Sequence, residues 1–204
     1  MRVNKKKFIY LISPNKIYKK FFKDLQKVLE TRKIFFFQLR LKKYSLKHKI
    51  LIGRKIKKVC RDNKVKFIIN DDPWLAKKLD ADGCHLGQKD MSINETRKLI
   101  GNKIVGITCH NSIKLAKNAI RSNVSYLAFG AFYPTKTKKV KFNATTKVLL
   151  EIKKLSNIPV VAIGGINSHN YKNLLLNKAN FLAISSYIWN NKKYKPLKAI
   201  ELLK

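Results

Sequence analysis

Residues 126–138 read YLAFGAFYPTKTK. An apolar run, Tyr126–Phe129, gives way at Gly130 to a loop carrying Thr135, Lys136, Thr137 and Lys138. A short, wholly apolar run followed by polar residues is the signature of a strand covered on both faces that ends at a rim. Pro134 stiffens the loop by fixing φ. Hydroxyls and ammonium groups alternating on a short loop suit phosphate oxygens, because both donate hydrogen bonds and the lysines add charge. A solvated loop in a lysine-rich chain would read the same way, so the other strand ends have to decide between the two.

The same unit repeats on either side of this stretch. Apolar runs recur at Phe8–Ile12, Ile34–Leu39, Lys66–Ile69, Gly83–Leu86, Ile104–Ile107, Pro159–Ile163 and Phe181–Ile184. Amphipathic segments lie between them. The first places Ile17, Phe21, Leu25, Val28 and Leu29 on one stripe. Asp72-Pro73 opens another with a cap and a first-turn proline. Ser92 and Glu95 form the S-x-x-E capping box of a helix reaching Ile100. The last helix is expected from Pro196 to Leu203. Eight strand–helix units, with no linker across residues 1–204, predict a single α/β domain whose parallel strands close into a (β/α)₈ barrel. An open doubly wound sheet is the alternative, but no G-x-G-x-x-G follows the first strand to support it.

The charge is extreme, with 46 Lys+Arg against 11 Asp+Glu, a net +35. The basic residues are spread along the whole chain, and only seven are Arg, the better residue for forked phosphate recognition. Lys, Asn, Ile and Phe are abundant together, as a coding bias toward A/T-rich codons produces. A specific nucleic-acid partner is therefore not expected, since neither a basic tail nor aromatic–basic interleaving is evident. Cys60, Cys84 and Cys109 form no CxxC pair, which points to a reduced, cytoplasmic protein. The basic-then-apolar start is too short for a signal-peptide core, and no run is long enough to span a bilayer.

In a (β/α)₈ barrel the chemistry gathers where strands end and loops begin. Gln38, Arg40 and Lys42 share one side at the end of the second strand, as three donors that can grip an anion. Of the 11 acids, Asp71, Asp72, Asp80, Asp82 and Asp90 all fall between residues 71 and 90. Asp72 reads as a helix cap, and Asp80 and Asp82 as belonging to the opposite end of the barrel. Asp71 and Asp90 remain as candidate ligands for a magnesium ion on a diphosphate. Thr108 is a hydroxyl donor at the fifth strand end, and His110 is a possible acid or base. Gly164-Gly165 and Ser185-Ser186 mark the loops after strands seven and eight, a recurrent phosphate site of this barrel.

These pieces resemble the thiamine-phosphate synthase family, in the superfamily it shares with thiazole tautomerase. The matching stretches are QLRLK at 38–42, NDD at 70–72, ADGCHLGQKD at 81–90, GITCH at 106–110, the 130–138 loop, VVAIGGI at 160–166 and AISSYI at 183–188. The resemblance implies a Mg²⁺-dependent transferase. It would couple 4-amino-2-methyl-5-pyrimidinylmethyl diphosphate with a thiazole phosphate through a pyrimidine carbocation. On that resemblance Gln38, Arg40, Lys42, Asn70, Thr108 and Lys138 would hold the pyrimidine diphosphate, with Arg40, Lys138 and Thr108 as the catalytic candidates. Asp71 and Asp90 would hold Mg²⁺. Thr135, Lys136, Thr137, Gly165, Ser185 and Ser186 would hold the thiazole phosphate. The chain departs from the family pattern at Leu41, where an acid is usual, and at Thr108, Ala131 and Ser185. A thiazole tautomerase on the same barrel is the nearest rival. It needs one phosphate site and an acid/base, but no diphosphate grip. A basic nucleic-acid-binding protein is the rival from another class.

Overall fold

The computed structural model describes residues 7–135 and 142–204. Eight parallel strands close into a barrel in chain order: β1 (Ile9–Ile12), β2 (Ile34–Leu39), β3 (Lys66–Asn70), β4 (Gly83–Leu86), β5 (Ile104–His110), β6 (Tyr126–Gly130), β7 (Val160–Ile163) and β8 (Phe181–Ile184). β8 returns to pair with β1, so no strand edge is left open. Between them run α1 (Phe21–Glu30), α2 (Leu46–Asp62), α3 (Pro73–Lys78), α4 (Ile93–Ile100), α5 (Ile113–Arg121), α6 (Thr146–Leu155) and α7 (Tyr171–Leu176). α8 (Ser186–Trp189) and α9 (Pro196–Glu201) follow β8. The (β/α)₈ barrel expected from the repeating units is the fold observed. No helix among the described residues is long and apolar enough to cross a membrane.

The sequence pattern explains both layers of the core. Strand residues alternate, so Phe37 and Leu39 face the helices while Phe36 and Gln38 face the lumen. Leu25, Val28 and Leu29 of α1 and Leu149 and Ile152 of α6 cover the outward set. The lumen is filled by Tyr10, Ile12, Phe36, Ile68, Tyr126, Ala128, Val161, Phe181 and Ala183. The anticipated caps are present: Asp72 accepts from Leu75 N at 2.9 Å, and Ser92 and Glu95 close a full capping box.

Several strand ends differ by one residue from the sequence reading, and four differences are larger. Ile17 lies before α1, which starts only at Phe21; it still packs on the core from the preceding loop. β5 extends to His110, because a bulge between Thr108 and His110 lets the strand continue pairing past Ile107. α8 was not anticipated, since four residues are too few for a helical period to show. α9 stops at Glu201, before Leu203.

The N-terminal face of the barrel is closed by charged side chains. Asp82 accepts from Phe67 N and from Lys66, and Asp80 takes Lys57 and Lys103. Arg97 of α4 reaches the carbonyls of Gly101, Lys103 and Asn123 and the hydroxyl of Ser125. One guanidinium thus ties together the entries to β5 and β6. Arg97→Met keeps the aliphatic stem and removes that fork. It should lower unfolding stability by about 2 kcal/mol, read from urea midpoints, because several charge-assisted bonds to carbonyls are lost together. An unchanged midpoint would show that the fork contributes nothing.

Candidate active site

A cavity of about 680 Å³ opens at the C-terminal ends of the strands. Its floor includes Tyr10, Ile12, Ala128 and Val161, and its walls come from the loops that the sequence singled out. Gln38, Arg40, Lys42, Asn70, Asp71, Asp90, Thr108, Thr135, Gly165, Ser185 and Ser186 all line it. Lys136, Thr137 and Lys138 lie outside the described residues.

The three donors after β2 differ in depth. Gln38, still within β2, is buried, and its Nε2 donates to Tyr10 OH at 2.8 Å. Arg40 stands just past the strand end, where its Nη1 donates to Asn15 Oδ1 at 3.0 Å and its backbone N–H to Ser13 Oγ at 2.9 Å. Lys42 is more exposed and meets Asp71 at 2.8 Å.

The acids cluster opposite. Asp71 follows β3 in the left-handed region, at φ 63°, a conformation that Asp tolerates better than most residues. Its N–H donates to His85 O at 2.8 Å, which locks the end of β3 to β4. Asp90 folds back so that its Oδ2 accepts from Gly87 N at 2.6 Å. The two carboxyl groups lie close enough for each to act on the ionisation of the other. Burial opposes ionisation of Asp71, yet its bond and ion pair with Lys42 hold it below the usual carboxylate range. Burial raises Asp90, the Gly87 N–H draws it down, and the neighbouring Asp71 adds to the rise. Asp80 and Asp82 lie at the other end of the barrel, as expected, and Asp72 is spent on its cap.

Opposite the acids, Gly164 and Gly165 have φ 106° and 63°, where side chains are strained. A Cβ on Gly165 would fall 2.4 Å from Pro134 O and 2.8 Å from Tyr133 Cβ. The glycine pair therefore also makes room for the 131–135 loop to fold over it, a packing role the sequence reading did not foresee. Ser185 Oγ donates to Ser13 O at 3.2 Å, tying the β8 rim to the β1 rim. The His110 ring packs at a tilt of 32° on Phe142, with centroids 4.5 Å apart. Cys60, Cys84 and Cys109 are free and buried. Burial pushes the Cys109 thiol up to about 12, so it behaves as a packing group, not as a nucleophile.

The sequence reading passed over Ser13 and Asn15, although ISPN at 12–15 is a strand end like the others. It also missed Tyr10 and Tyr126. The available signal was a tyrosine at an inward strand position, since a buried phenol needs a partner.

Charged side chains gathered over a closed lumen, at the C-terminal ends of eight parallel strands, define a (β/α)₈ barrel enzyme. The comparisons say which. A family model described as thiamine monophosphate synthase matches residues 9–188. A thiamine-phosphate synthase of Pelagibacter ubique (strain HTCC1062) is 66% identical over 207 residues, covering 100% of both chains. One from Erythrobacter litoralis (strain HTCC2594) is 38% identical, covering 89% of this chain and 88% of its own. The solved thiamine phosphate pyrophosphorylase from Pyrococcus furiosus superposes with a TM-score of 0.85 at 28% identity, over 97% of this chain and 94% of that one. The chain belongs to the thiamine monophosphate synthase family, and it is a transferase of thiamine biosynthesis.

One consequence of the geometry is a pH dependence of stability. Burial lowers His85 from its ordinary 6.5 to about 4, with the charge of Asp71 acting the other way. In the unfolded chain His85 takes up its proton near pH 6.5; in the fold it does so only near pH 4. Between those values the unfolded state binds more protons, so stability falls as pH falls, by up to about 1.4 kcal/mol per unit. Urea midpoints taken from about pH 7 to pH 4 should decline more steeply in the wild type than in His85→Gln. Parallel curves would mean that His85 takes up its proton at the same pH in the fold as in the unfolded chain.

Proposed function

We propose that the thiamine-phosphate synthase reaction of this chain is a Mg²⁺-assisted dissociative displacement at the mouth of the barrel. The substrates are 4-amino-2-methyl-5-pyrimidinylmethyl diphosphate and a thiazole phosphate, met in the cytoplasm. The observation that carries this reading is the Asp71–Asp90 pair beside Lys42. In a chain of +35, two carboxylates brought together over a phosphate-suited cavity call for a cation.

The donor set fits magnesium. Among the described residues no cluster of three or more His, Cys, Asp or Glu side chains stands ready to cage a metal. Magnesium is commonly held by one or two carboxylates, with waters and substrate phosphates completing its shell. Asp71 and Asp90 would supply the two oxygens. When bound, the ion neutralises the charge that develops on the departing diphosphate.

The chain's own residues do the rest. Arg40, its backbone N–H held by Ser13 and its Nη1 by Asn15, presents its guanidinium to the diphosphate. Lys42, Asn70 and Thr108 add donors around it, with Gln38 below. The carbon–oxygen bond of the pyrimidine methylene breaks, and diphosphate leaves with the electron pair. The thiazole nitrogen then donates its lone pair to that carbon. No base is needed at that step, so catalysis is positioning and charge stabilisation. Thr135, Gly165, Ser185 and Ser186 line the side assigned to the thiazole phosphate. Lys138 is assigned to the diphosphate, and Lys136 and Thr137 to the thiazole phosphate, on the family pattern alone. A tautomerase would have no use for the paired carboxylates, and a nucleic-acid-binding protein no use for the cavity.

Asp71→Asn removes the charge, keeps the size, and leaves a residue that also tolerates the left-handed conformation. It should cut coupling at least about a hundredfold, roughly 3 kcal/mol of transition-state stabilisation, while the protein stays folded. EDTA should abolish coupling by the wild type, and added Mg²⁺ should restore it. Equal rates in EDTA, or isomerisation of a thiazole phosphate without coupling, would overturn the proposal.

A further inference from the structure

Beneath the cavity runs a chain of hydrogen-bonded polar side chains, of which Tyr10, Tyr126 and His85 have no part assigned in the coupling reaction. Gln38 Nε2 donates to Tyr10 OH at 2.8 Å, and Tyr10 OH meets Tyr126 OH at 2.8 Å. Tyr126 OH meets His85 Nδ1 at 2.9 Å, and His85 Nε2 meets Thr108 Oγ1 at 2.8 Å. The chain crosses the lumen from β2 through β1, β6 and β4 to β5, and it ends at a hydroxyl on the cavity wall. Gln38, Tyr10, Tyr126 and His85 are all buried.

We infer that Tyr10, Tyr126 and His85 are positioning residues whose hydrogen bonds run in one direction and fix Thr108 as a proton donor into the active site. The direction follows from counting protons. The Gln38 amide donates to Tyr10, so the single proton of Tyr10 goes to Tyr126. The proton of Tyr126 then goes to Nδ1 of His85. A neutral imidazole accepting at Nδ1 carries its own proton on Nε2 and gives it to Thr108 Oγ1. Thr108 already accepts one bond, and its hydroxyl makes no other hydrogen bond among the described residues. Its proton is therefore left for whatever occupies the cavity. Were the direction reversed, Thr108 would spend its proton on His85 and offer the substrate lone pairs only. A diphosphate, being all acceptors, would then be repelled at that point.

The backbone is built to permit this chain. His85, Gly106 and Tyr126 form one row across β4, β5 and β6. A Cβ on Gly106 would lie 1.9 Å from Cζ of Tyr126. Glycine between them lets the two rings stack at 5.6 Å, with planes 12° apart, across a strand that would otherwise part them. The glycine of the GITCH stretch, read from the sequence only as a motif letter, thus makes the bridge possible.

The inference rests on the assignment of Thr108 to the pyrimidine diphosphate, and the test separates the two. The wild-type enzyme, labelled with ¹⁵N-histidine, should show His85 as the Nε2–H tautomer, its resonances assigned by their loss in His85→Gln. The Nδ1–H tautomer would overturn the inference with no other variant made. In kinetics, Tyr126→Phe should lower kcat/KM for the pyrimidine diphosphate about tenfold by releasing the tautomer. It should leave the KM for the thiazole phosphate within about twofold. In a Thr108→Val background the same change should cost less than about twofold, because the group through which it acts is gone. Losses that simply multiply would make Tyr126 a packing residue and overturn the inference alone. If Thr108→Val itself leaves coupling unchanged, the assignment of Thr108 fails and the inference falls with it.

Discussion

An eight-stranded barrel encloses a lumen just wide enough to be filled by side chains, and what fills it decides what can stand above. This barrel uses large rings: Tyr10, Phe36, Tyr126 and Phe181. Phe36 packs on Tyr10, Tyr126 and Phe181 at 5.0–5.5 Å between centroids, which seals the interior below the cavity. Two of the rings carry hydroxyls that have no access to water, and a buried hydroxyl must be paired. The pairing recruits Gln38 on one side and His85 on the other. The cavity is thereby given a floor whose hydrogen bonds are spoken for, beneath a rim of charged and polar side chains.

Above that floor the charge distribution is selective in spite of the overall excess of lysine. Of the 46 basic residues, 21 lie in the helices around the barrel. At the rim, Lys42 is turned toward Asp71, and Arg40 is steered by Asn15. The acids divide by height. Asp80 and Asp82 staple the N-terminal face with Lys57, Lys103 and Lys66, whereas Asp71 and Asp90 are reserved for the mouth. Stability and chemistry are thus drawn from opposite ends of the same strands, as the architecture permits.

Much of this was legible in the sequence. The runs around Tyr126–Phe129 and Ile34–Leu39 announced buried strands because continuous apolar residues have no other economical place. Asp72, Ser92 and Glu95 announced helix starts because capping has a fixed spacing. Asp71 and Asp90 stood out because acids are scarce. What stayed hidden depends on lateral register, which one-dimensional patterns do not carry. Gly106 stands between His85 and Tyr126 only once β4, β5 and β6 are aligned. Gly165 meets Pro134 only once the β6 loop folds over β7. Nothing in the sequence marks Ser13, because its partners Arg40 and Ser185 lie on strand ends distant in the chain.

The central claim is that the two carboxylates at the mouth hold a divalent cation together with a diphosphate. Manganese is a paramagnetic stand-in for magnesium at oxygen sites. Electron paramagnetic resonance of the protein with Mn²⁺ and inorganic diphosphate, set against the same ion and diphosphate in buffer, reads that binding without any turnover. The account predicts a protein-bound Mn²⁺–diphosphate signal in the wild type, and at least about tenfold weaker binding in Asp90→Asn, where one of two anionic oxygen donors is lost. Binding of equal strength in the wild type and in Asp90→Asn would contradict it.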